Sequence, residues 1–319
     1  MQGYNPAMIQ GLASTALMVA AGWLLAAFGW VGPESRQPLM RLVIWLFFPA
    51  LIYDRVHNNP LIATGSAAAL YVGTGYAMIV SGIILGVIVG KLLRVGSGIY
   101  ERTFAYASGI NNFGYIGIPI TAALFDKDVV GVLLVHNVGV EAAVWTIGIA
   151  HLSVHSGIRV LRNLIHPMTM VLAFALAVNL LGLGNTTIPA FLGKVCHDVG
   201  SCAVPVGLIL TGIYLHETLR GFNFRSDVRA TIGFLLVRFL FAPMVILLAA
   251  SFVTDPNLRR VMLVQAAMPA GIFTFLIVGH CKGDVPLALR GTIITSLLCP
   301  LTIPIWIEIG RRWLGIFNL

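Results

Sequence analysis

Two adjacent carboxamides lie inside an apolar stretch of this sequence. The run ASGINNFGYIGIPITAALF holds Asn111 and Asn112, and Pro119 follows seven residues after the second of them. A proline lacks a backbone N–H and clashes with the carbonyl four residues earlier, so we expect a helix to break there. At membrane depth the freed backbone groups must face protein or a water-filled cavity. The stretch therefore predicts a polar site within an apolar segment.

A second stretch, VQAAMPAGIFTF, has a similar design, with Gly271 two residues after Pro269. We pair Pro119 with Pro269 as breaks at matching positions of two halves of the chain, a pattern that points to a transporter site. Each break exposes a half-helix N-terminus, whose N–H groups attract a carboxylate. Ordinary proline kinks satisfied by neighbouring helices are the alternative. Candidate substrate-binding residues from the two stretches are Asn111, Asn112, Pro119, Pro269 and Gly271.

A third apolar stretch, VLLVHNVGVEAAVW, carries an acid. Glu141 lies four residues after Asn137, so the two side chains share a helix face. A carboxyl near mid-membrane is costly to ionise and usually marks an ion or proton path. We add Asn137 to the substrate-binding candidates and assign ion or proton coupling to Glu141 and His136. A neutral Glu141 that only bonds a facing helix is the alternative.

Other polar groups carry weaker signals. Arg238 lies in an apolar segment and needs a partner or an aqueous vestibule, and Asp198 is one candidate partner. His151 and His155 have the spacing of metal ligands but lack a third ligand. The four cysteines show no ligand spacing. We expect no metal and no cofactor.

The composition of the chain indicates that membrane-spanning helices position these residues. Of the 319 residues, 58% are hydrophobic and only 10% are charged. A spanning helix needs about 20 apolar residues, so ten spans take about 200 and leave room for short loops only. The net charge of +8 comes from basic residues scattered over the loops, which excludes a nucleic-acid-binding face. Paired aspartates, a Ser–His pair and a zinc constellation are missing, so we expect no enzyme.

The sequence predicts an all-α polytopic membrane protein of about ten spans. Motifs around Pro49 and Pro205, Pro119 and Pro269, and at Asp128 and Asp284, recur at offsets of about 156, 150 and 156 residues. Because five helices are an odd number, the second half is inverted, and the broken fourth and ninth spans cross. Residues 1–155 form the first five-helix repeat, 156–165 a short cytoplasmic connection and 166–319 the second repeat. Chance similarity among apolar segments is the alternative. The spans are placed at 7–31, 37–57, 63–91, 102–125, 129–154, 166–184, 188–216, 228–253, 259–280 and 286–310.

Basic residues predict the orientation. With the N-terminus outside, the cytoplasmic and outer loops hold roughly 12 and 7 Lys and Arg residues. We therefore expect a multi-pass protein of the cytoplasmic (inner) membrane with both termini outside.

Several runs resemble the auxin efflux carrier family, which includes plant PIN-type exporters and bacterial carriers of small organic acids. They are FFPALIYDRVHNNP, INNFGYIGIPITAALF, VEAAVW, RFLFAP and VQAAMPAGIFTF, in order along essentially the whole chain. The resemblance implies a fold similar to that of bile-acid-type symporters and sodium/proton antiporters. Such a fold has ten helices, divided between a scaffold domain and a transport domain with two crossing broken helices.

The resemblance also implies roles for two residues. In that family the fourth-span Asn seven residues before the proline contacts the substrate carboxylate, a position matched here by Asn112. Plant members carry Gln where this chain has Glu141, which argues against plant auxin specificity. The long hydrophilic loop of plant members is replaced by Ser156 to Ile165, as in a short, bacterial-type member.

Together these patterns predict a secondary active transporter of a small organic anion that works by alternating access. A monovalent cation/proton antiporter on the same architecture is the alternative, and a channel is disfavoured because crossing helices close a pore. Expected partners are the anion, a proton or sodium ion, membrane lipid and a second copy of the chain in a homodimer.

Overall fold

A computed structural model describes residues 6–59, 65–152, 167–184, 189–220 and 227–316. Apart from one isolated β-bridge, the regular structure in these residues is helical. Short π-helical turns join α2 to α3, α7 to α8 and α12 to α13. The helices are α1 (Pro6–Ala27), α2 (Pro33–Leu42), α3 (Phe48–Val56), α4 (Gly65–Leu93), α5 (Ile99–Gly109), α6 (Gly117–Leu124), α7 (Lys127–Ala143), α8 (Ile149–Leu152), α9 (Pro167–Leu180), α10 (Ala190–Ser201), α11 (Ala203–Arg220), α12 (Val228–Leu236), α13 (Ala242–Ser251), α14 (Pro256–Ala266), α15 (Thr274–His280) and α16 (Val285–Leu314).

Five helical stretches among the described residues are long and apolar enough to cross a membrane. Of the 18 most apolar consecutive residues in Asp128–Leu152, 72% are buried, against 39–44% in the other four stretches. It is therefore the central helix of the bundle and carries Glu141 into the interior. Predicted spans outside these five correspond to shorter or broken helices. The five stretches are Gly65–Leu93, Asp128–Leu152, Phe191–His216, Val228–Ser251 and Val285–Leu314.

Two helices are interrupted in the same way and meet at their interruptions. The first break separates α5 from α6, and the second separates α14 from α15. The extended residues of the two breaks form an antiparallel bridge between Asn111 and Ala270. The N–H of Asn112 donates to the Pro269 carbonyl at 2.8 Å, and the N–H of Gly271 donates to the Ile110 carbonyl at 2.9 Å. The predicted contact between two broken helices is present.

The positions of the two prolines differ from the prediction. Pro119 is the third residue of α6, where a missing N–H has no helical partner to lose. Pro269 instead lies within the second break, between α14 and α15. Pairing these prolines at an offset of 150 residues was therefore wrong. The breaks themselves correspond at a constant spacing of 157 residues, because Ile99 and Pro256 begin the first half-helices and Gly117 and Thr274 the second.

Glycines allow α4 and α7 to pack with their backbones nearly in contact. A Cβ added at Gly139 would overlap the carbonyl oxygen of Val72, and a Cβ added at Gly75 would overlap that of His136. Small residues at a helix–helix contact favour such close approach in membranes, where packing replaces the hydrophobic effect. This contact fixes the central helix against α4.

We expect Gly139→Ala to destabilise the protein by about 1–3 kcal/mol, because an extra methyl group in a close-packed backbone contact forces the helices apart. Gly73→Ala in α4 is the matched control, since no heavy atom outside its own stretch of helix lies within 4 Å of its added Cβ. Thermal unfolding in detergent measures both variants. Equal melting temperatures for the two would contradict the packing described here.

Candidate functional site

A cavity lies at the crossing of the two breaks. It holds about 690 Å³ of empty space, part of it open to the surroundings. Both breaks and the central helix supply its walls, and six of its lining residues are aromatic. The lining residues are Phe48, Tyr106, Ile110, Asn111, Asn112, Phe113, Gly114, Tyr115, Glu141, Val144, Trp145, Gly271, Ile272, Phe273, Thr274 and Ile277.

Gln265 of α14 holds the first break in place. Its Oε1 accepts a hydrogen bond from Asn111 Nδ2 at 2.6 Å, and its backbone carbonyl accepts a second from the same atom at 3.1 Å. Its own Nε2 donates to the Phe113 carbonyl at 3.3 Å. Backbone groups freed by a break need such partners inside a membrane. The sequence analysis missed Gln265, although an amide in the apolar run VMLVQAAMP was a signal.

We expect Gln265→Leu to lower the free energy of unfolding by about 1–3 kcal/mol, because it leaves one N–H of the buried Asn111 amide without its acceptor and removes one donor to the Phe113 carbonyl. The side chain of Gln265 is fully buried, so water cannot replace the lost bonds. Gln37→Leu, the same substitution at an exposed position of α2, is the control. If both variants melted at the parent temperature in detergent, the support assigned to Gln265 would be wrong.

Threonine hydroxyls hold the second break. Thr295 accepts a hydrogen bond from the backbone N–H of Ala270 at 3.0 Å. The carbonyl of Gly271 accepts from Thr292 at 3.1 Å and from Thr274 at 2.8 Å. Side chains from the helices thus form hydrogen bonds with the two breaks. Amide groups do so at the first break and threonine hydroxyls at the second. Neither threonine of α16 was selected from the sequence.

Several buried polar atoms at the cavity lack a partner among the described residues. They are the side-chain Nδ2 of Asn112, the Oδ1 of Asn111 and the hydroxyls of Tyr106 and Tyr115. The other amide atom of Asn112, Oδ1, accepts from the N–H of Ile116 at 3.4 Å. Buried polar groups in proteins are normally hydrogen-bonded, so unpaired groups on residues that line a cavity make it a candidate ligand site. The amide nitrogen and the two hydroxyls are neutral donors that suit an anionic oxygen.

Glu141 is the carboxyl group at this cavity. Its Oε2 accepts a hydrogen bond from the indole N–H of Trp145 at 2.9 Å, and both residues line the cavity. Glu141 also lines a second cavity of about 500 Å³. Four residues, Phe48, Phe113, Gly114 and Glu141, line both cavities, so the two cavities are adjacent.

Comparison with known proteins identifies the family of this chain. The family model described as membrane transport protein matches residues 7–157 and 150–307. The chain belongs to that family. It is the family of the auxin efflux carriers, so the resemblance drawn from the sequence motifs is confirmed. The protein is therefore a multi-pass membrane transporter.

Two archaeal relatives extend along nearly the whole transporter. An uncharacterised transporter of Methanothermobacter thermautotrophicus is 22% identical over 302 residues, covering 92% of this chain and 95% of the relative. An uncharacterised transporter of Methanocaldococcus jannaschii is 20% identical over 306 residues, covering 91% and 94%. Both names are consistent with a transport role.

The transporter brings most of the predicted site residues together. Asn111, Asn112 and Gly271 line the first cavity, and Glu141 lines both cavities. Asn137 lines the second cavity, shares the predicted helix face with Glu141, and its Nδ2 donates to the Phe113 carbonyl at 3.4 Å.

Three predicted residues lie outside the lining of these two cavities: Pro119, Pro269 and His136. His136 is buried on the central helix where it packs against α4, and its Nδ1 lacks a partner among the described residues. The two prolines belong to the backbone of the breaks. Pro119 lies in the first turn of α6, and the carbonyl of Pro269 accepts a hydrogen bond from the N–H of Asn112.

The structure also places the other polar residues considered from the sequence. Asp198 is exposed and pairs with Lys194 at 2.7 Å, so the suggested pairing of Asp198 with Arg238 is wrong. Arg238 is buried, and its Nε has no partner among the described residues. His155 and the connection 156–165 lie outside the described residues. Within the described part of the chain, no three His, Cys, Asp or Glu side chains are grouped as metal ligands would be.

Proposed function

We propose that the protein is a secondary active transporter of a small organic anion, which binds in the cavity at the helix crossing. The unpaired Nδ2 of Asn112, a residue that lines this cavity at the break of its helix, is the observation that carries the proposal. An amide N–H is a suitable donor to a carboxylate oxygen, and a hydrogen bond to a charged group contributes about 1.5–3 kcal/mol.

The rest of the cavity fits a small carboxylate with an apolar body. Hydroxyls of Tyr106 and Tyr115 add donors to that of Asn112, while rings such as Phe48 and Phe273 supply apolar surface. The half-helix N-terminus at Gly117 was also expected to attract the anion, but the N–H groups of Gly117 and Ile118 donate to backbone carbonyls and neither residue lines this cavity.

The proposed architecture is a pair of inverted five-helix repeats with about ten spans in all. The spacing of 157 residues between the two breaks supports it, and Pro33 and Ala190 begin helices at the same spacing. The antiparallel bridge between the breaks, in which the two extended segments run in opposite directions, also supports inversion. Movement of the crossing helices against the remaining helices would then expose the cavity to each side in turn.

We assign coupling to Glu141, with a proton as the coupling ion. A neutral Glu141 removes the repulsion that an ionised carboxylate would exert on an anion in either cavity. The monovalent cation/proton antiporter is the second candidate, and the carboxyl of Glu141 together with the unpaired Asn111 Oδ1 favours it, since both oxygens are possible cation ligands.

A thermal-shift screen tests the proposed substrate class. The purified protein is melted with acetate, benzoate, malonate, succinate and, as neutral control, benzamide, with and without sodium and across pH. A ligand at 100 times its Kd stabilises the folded state by about 2.7 kcal/mol, so a carboxylate of the right size should raise Tm. A shift with sodium or potassium alone, and with no carboxylate, would favour the antiporter.

We further propose that the transporter lies in the cytoplasmic membrane with both termini outside, since the basic residues favour this orientation. Reporter fusions at Gln2 and Asn318 should both report the outer side. Cytoplasmic signals from both would reverse the topology without affecting the crossing site. Membrane lipid and a second copy of the chain are the other proposed partners.

A further inference from the structure

The second cavity differs from the first in carrying a positive charge. Twelve residues line it, and its polar side chains are Arg55, Asn137 and Glu141. Arg55, near the end of α3, is the one Lys, Arg or His residue among those that line either of the two cavities. The first cavity offers an anion only neutral donors.

Most N–H donors of the Arg55 side chain have no partner among the described residues. Its Nε lies 3.3 Å from Oδ2 of Asp54, and that same oxygen lies 3.2 Å from Nδ1 of His197. A guanidinium has five N–H donors in a planar fork, so one contact leaves several available for a carboxylate. Asp54 and His197 do not line the cavity. The side chain of Arg55 is 45% exposed, which allows it to meet an anion that is still partly hydrated.

The cavity that Arg55 lines is adjacent to the cavity at the helix crossing. Phe48, Phe113, Gly114 and Glu141 line both cavities, so an anion in the second cavity lies next to the cavity that Asn112 lines. Moving a carboxylate out of water is costly unless a charge or several hydrogen bonds replace its hydration. If the carboxylate first binds beside a cation, the free-energy cost of its desolvation is divided into two smaller steps.

We propose that the second cavity is a separate binding station for the transported anion, in which Arg55 binds the carboxylate before or after it occupies the crossing site. This inference rests on the proposed function. Phe48 and Phe113 form the apolar barrier between the two stations, and Asn137 supplies a neutral contact at the second. Arg55 is thus assigned to capture and release, and Asn112 to the central site.

The test compares Arg55→Gln, Arg55→Lys and the control Lys194→Gln in proteoliposomes of phosphatidylcholine alone. Lys194 lies at the exposed end of the neighbouring helix α10, so its variant removes an equal charge outside the cavity. Exchange of radiolabelled benzoate and of succinate is measured. For Arg55→Gln we expect KM to rise about tenfold, with kcat within about twofold of the parent, as for a lost charge-assisted contact. Lysine should restore most of the affinity, and Lys194→Gln should match the parent.

Each outcome decides a different claim. If the parent exchanges neither carboxylate, the proposed function fails and the second station with it. If the parent exchanges one of them and Arg55→Gln behaves like Lys194→Gln, only the second station is overturned. An Arg55 effect that arises only when anionic lipid is added would assign Arg55 to a lipid headgroup instead. Should Arg55→Gln not fold, the parent decides: its kcat/KM must fall as ionic strength rises, because salt screens an exposed cation.

Discussion

Replacing Asn112 by alanine is expected to weaken carboxylate binding about 10- to 150-fold, as for the loss of one hydrogen bond to a charged group. The fold should survive, because the side chain accepts one long hydrogen bond, from Ile116, and its Nδ2 makes none among the described residues. The backbone bond from Asn112 to the Pro269 carbonyl does not depend on the side chain. Affinity would be measured by titration calorimetry and folding by Tm.

Asn257→Ala provides the control for this prediction. Asn257 lies at the start of α14, where its Oδ1 accepts from Arg260 at 3.1 Å, away from the crossing. It should leave carboxylate affinity unchanged. A folded Asn112→Ala protein that binds as tightly as the Asn257 variant would move the site away from the crossing.

The second large effect is expected from Glu141→Gln, which should abolish most of the response of transport to an imposed pH gradient. Glutamine keeps the shape of a neutral glutamic acid and can still accept the hydrogen bond from Trp145, but it cannot exchange a proton. Exchange of substrate without a gradient should continue, because the donors at Asn112 are intact. Flux in proteoliposomes with and without a pH gradient measures both properties.

A purely structural Glu141 gives the opposite result. A permanently neutral side chain does nothing that glutamine cannot, so parent and variant would then respond equally to the gradient. Glu34→Gln, at an exposed position in the first turn of α2, controls for the loss of any acidic group.

Parts of this site could be predicted because local chemistry determines them. Adjacent amides in an apolar run must face a polar environment, and Asn111 and Asn112 do line the cavity. A four-residue spacing places Asn137 and Glu141 on one helix face, and both line the second cavity. The existence of two breaks also followed from proline and glycine. Their positions did not, because a proline in the first turn of a helix looks the same in sequence as one inside a break.

Other parts depend on contacts between residues far apart in the chain. Gln265 acts on Asn111 and Phe113, more than 150 positions away, and Thr295 of α16 acts on the backbone of Ala270 in the second break. Neither residue type nor spacing indicates such partners. Arg55 was likewise not selected from the sequence, because its place beside a cavity depends on how α3 packs against the central helix.

The most direct test of the proposed transport function is exchange flux in proteoliposomes that contain the parent protein. Vesicles loaded with unlabelled benzoate or succinate should accumulate the labelled anion from outside, saturably and above empty vesicles, and benzamide should not compete. Proton release driven by a sodium or potassium gradient, without exchange of any carboxylate, would contradict the account and identify the protein as a cation/proton antiporter.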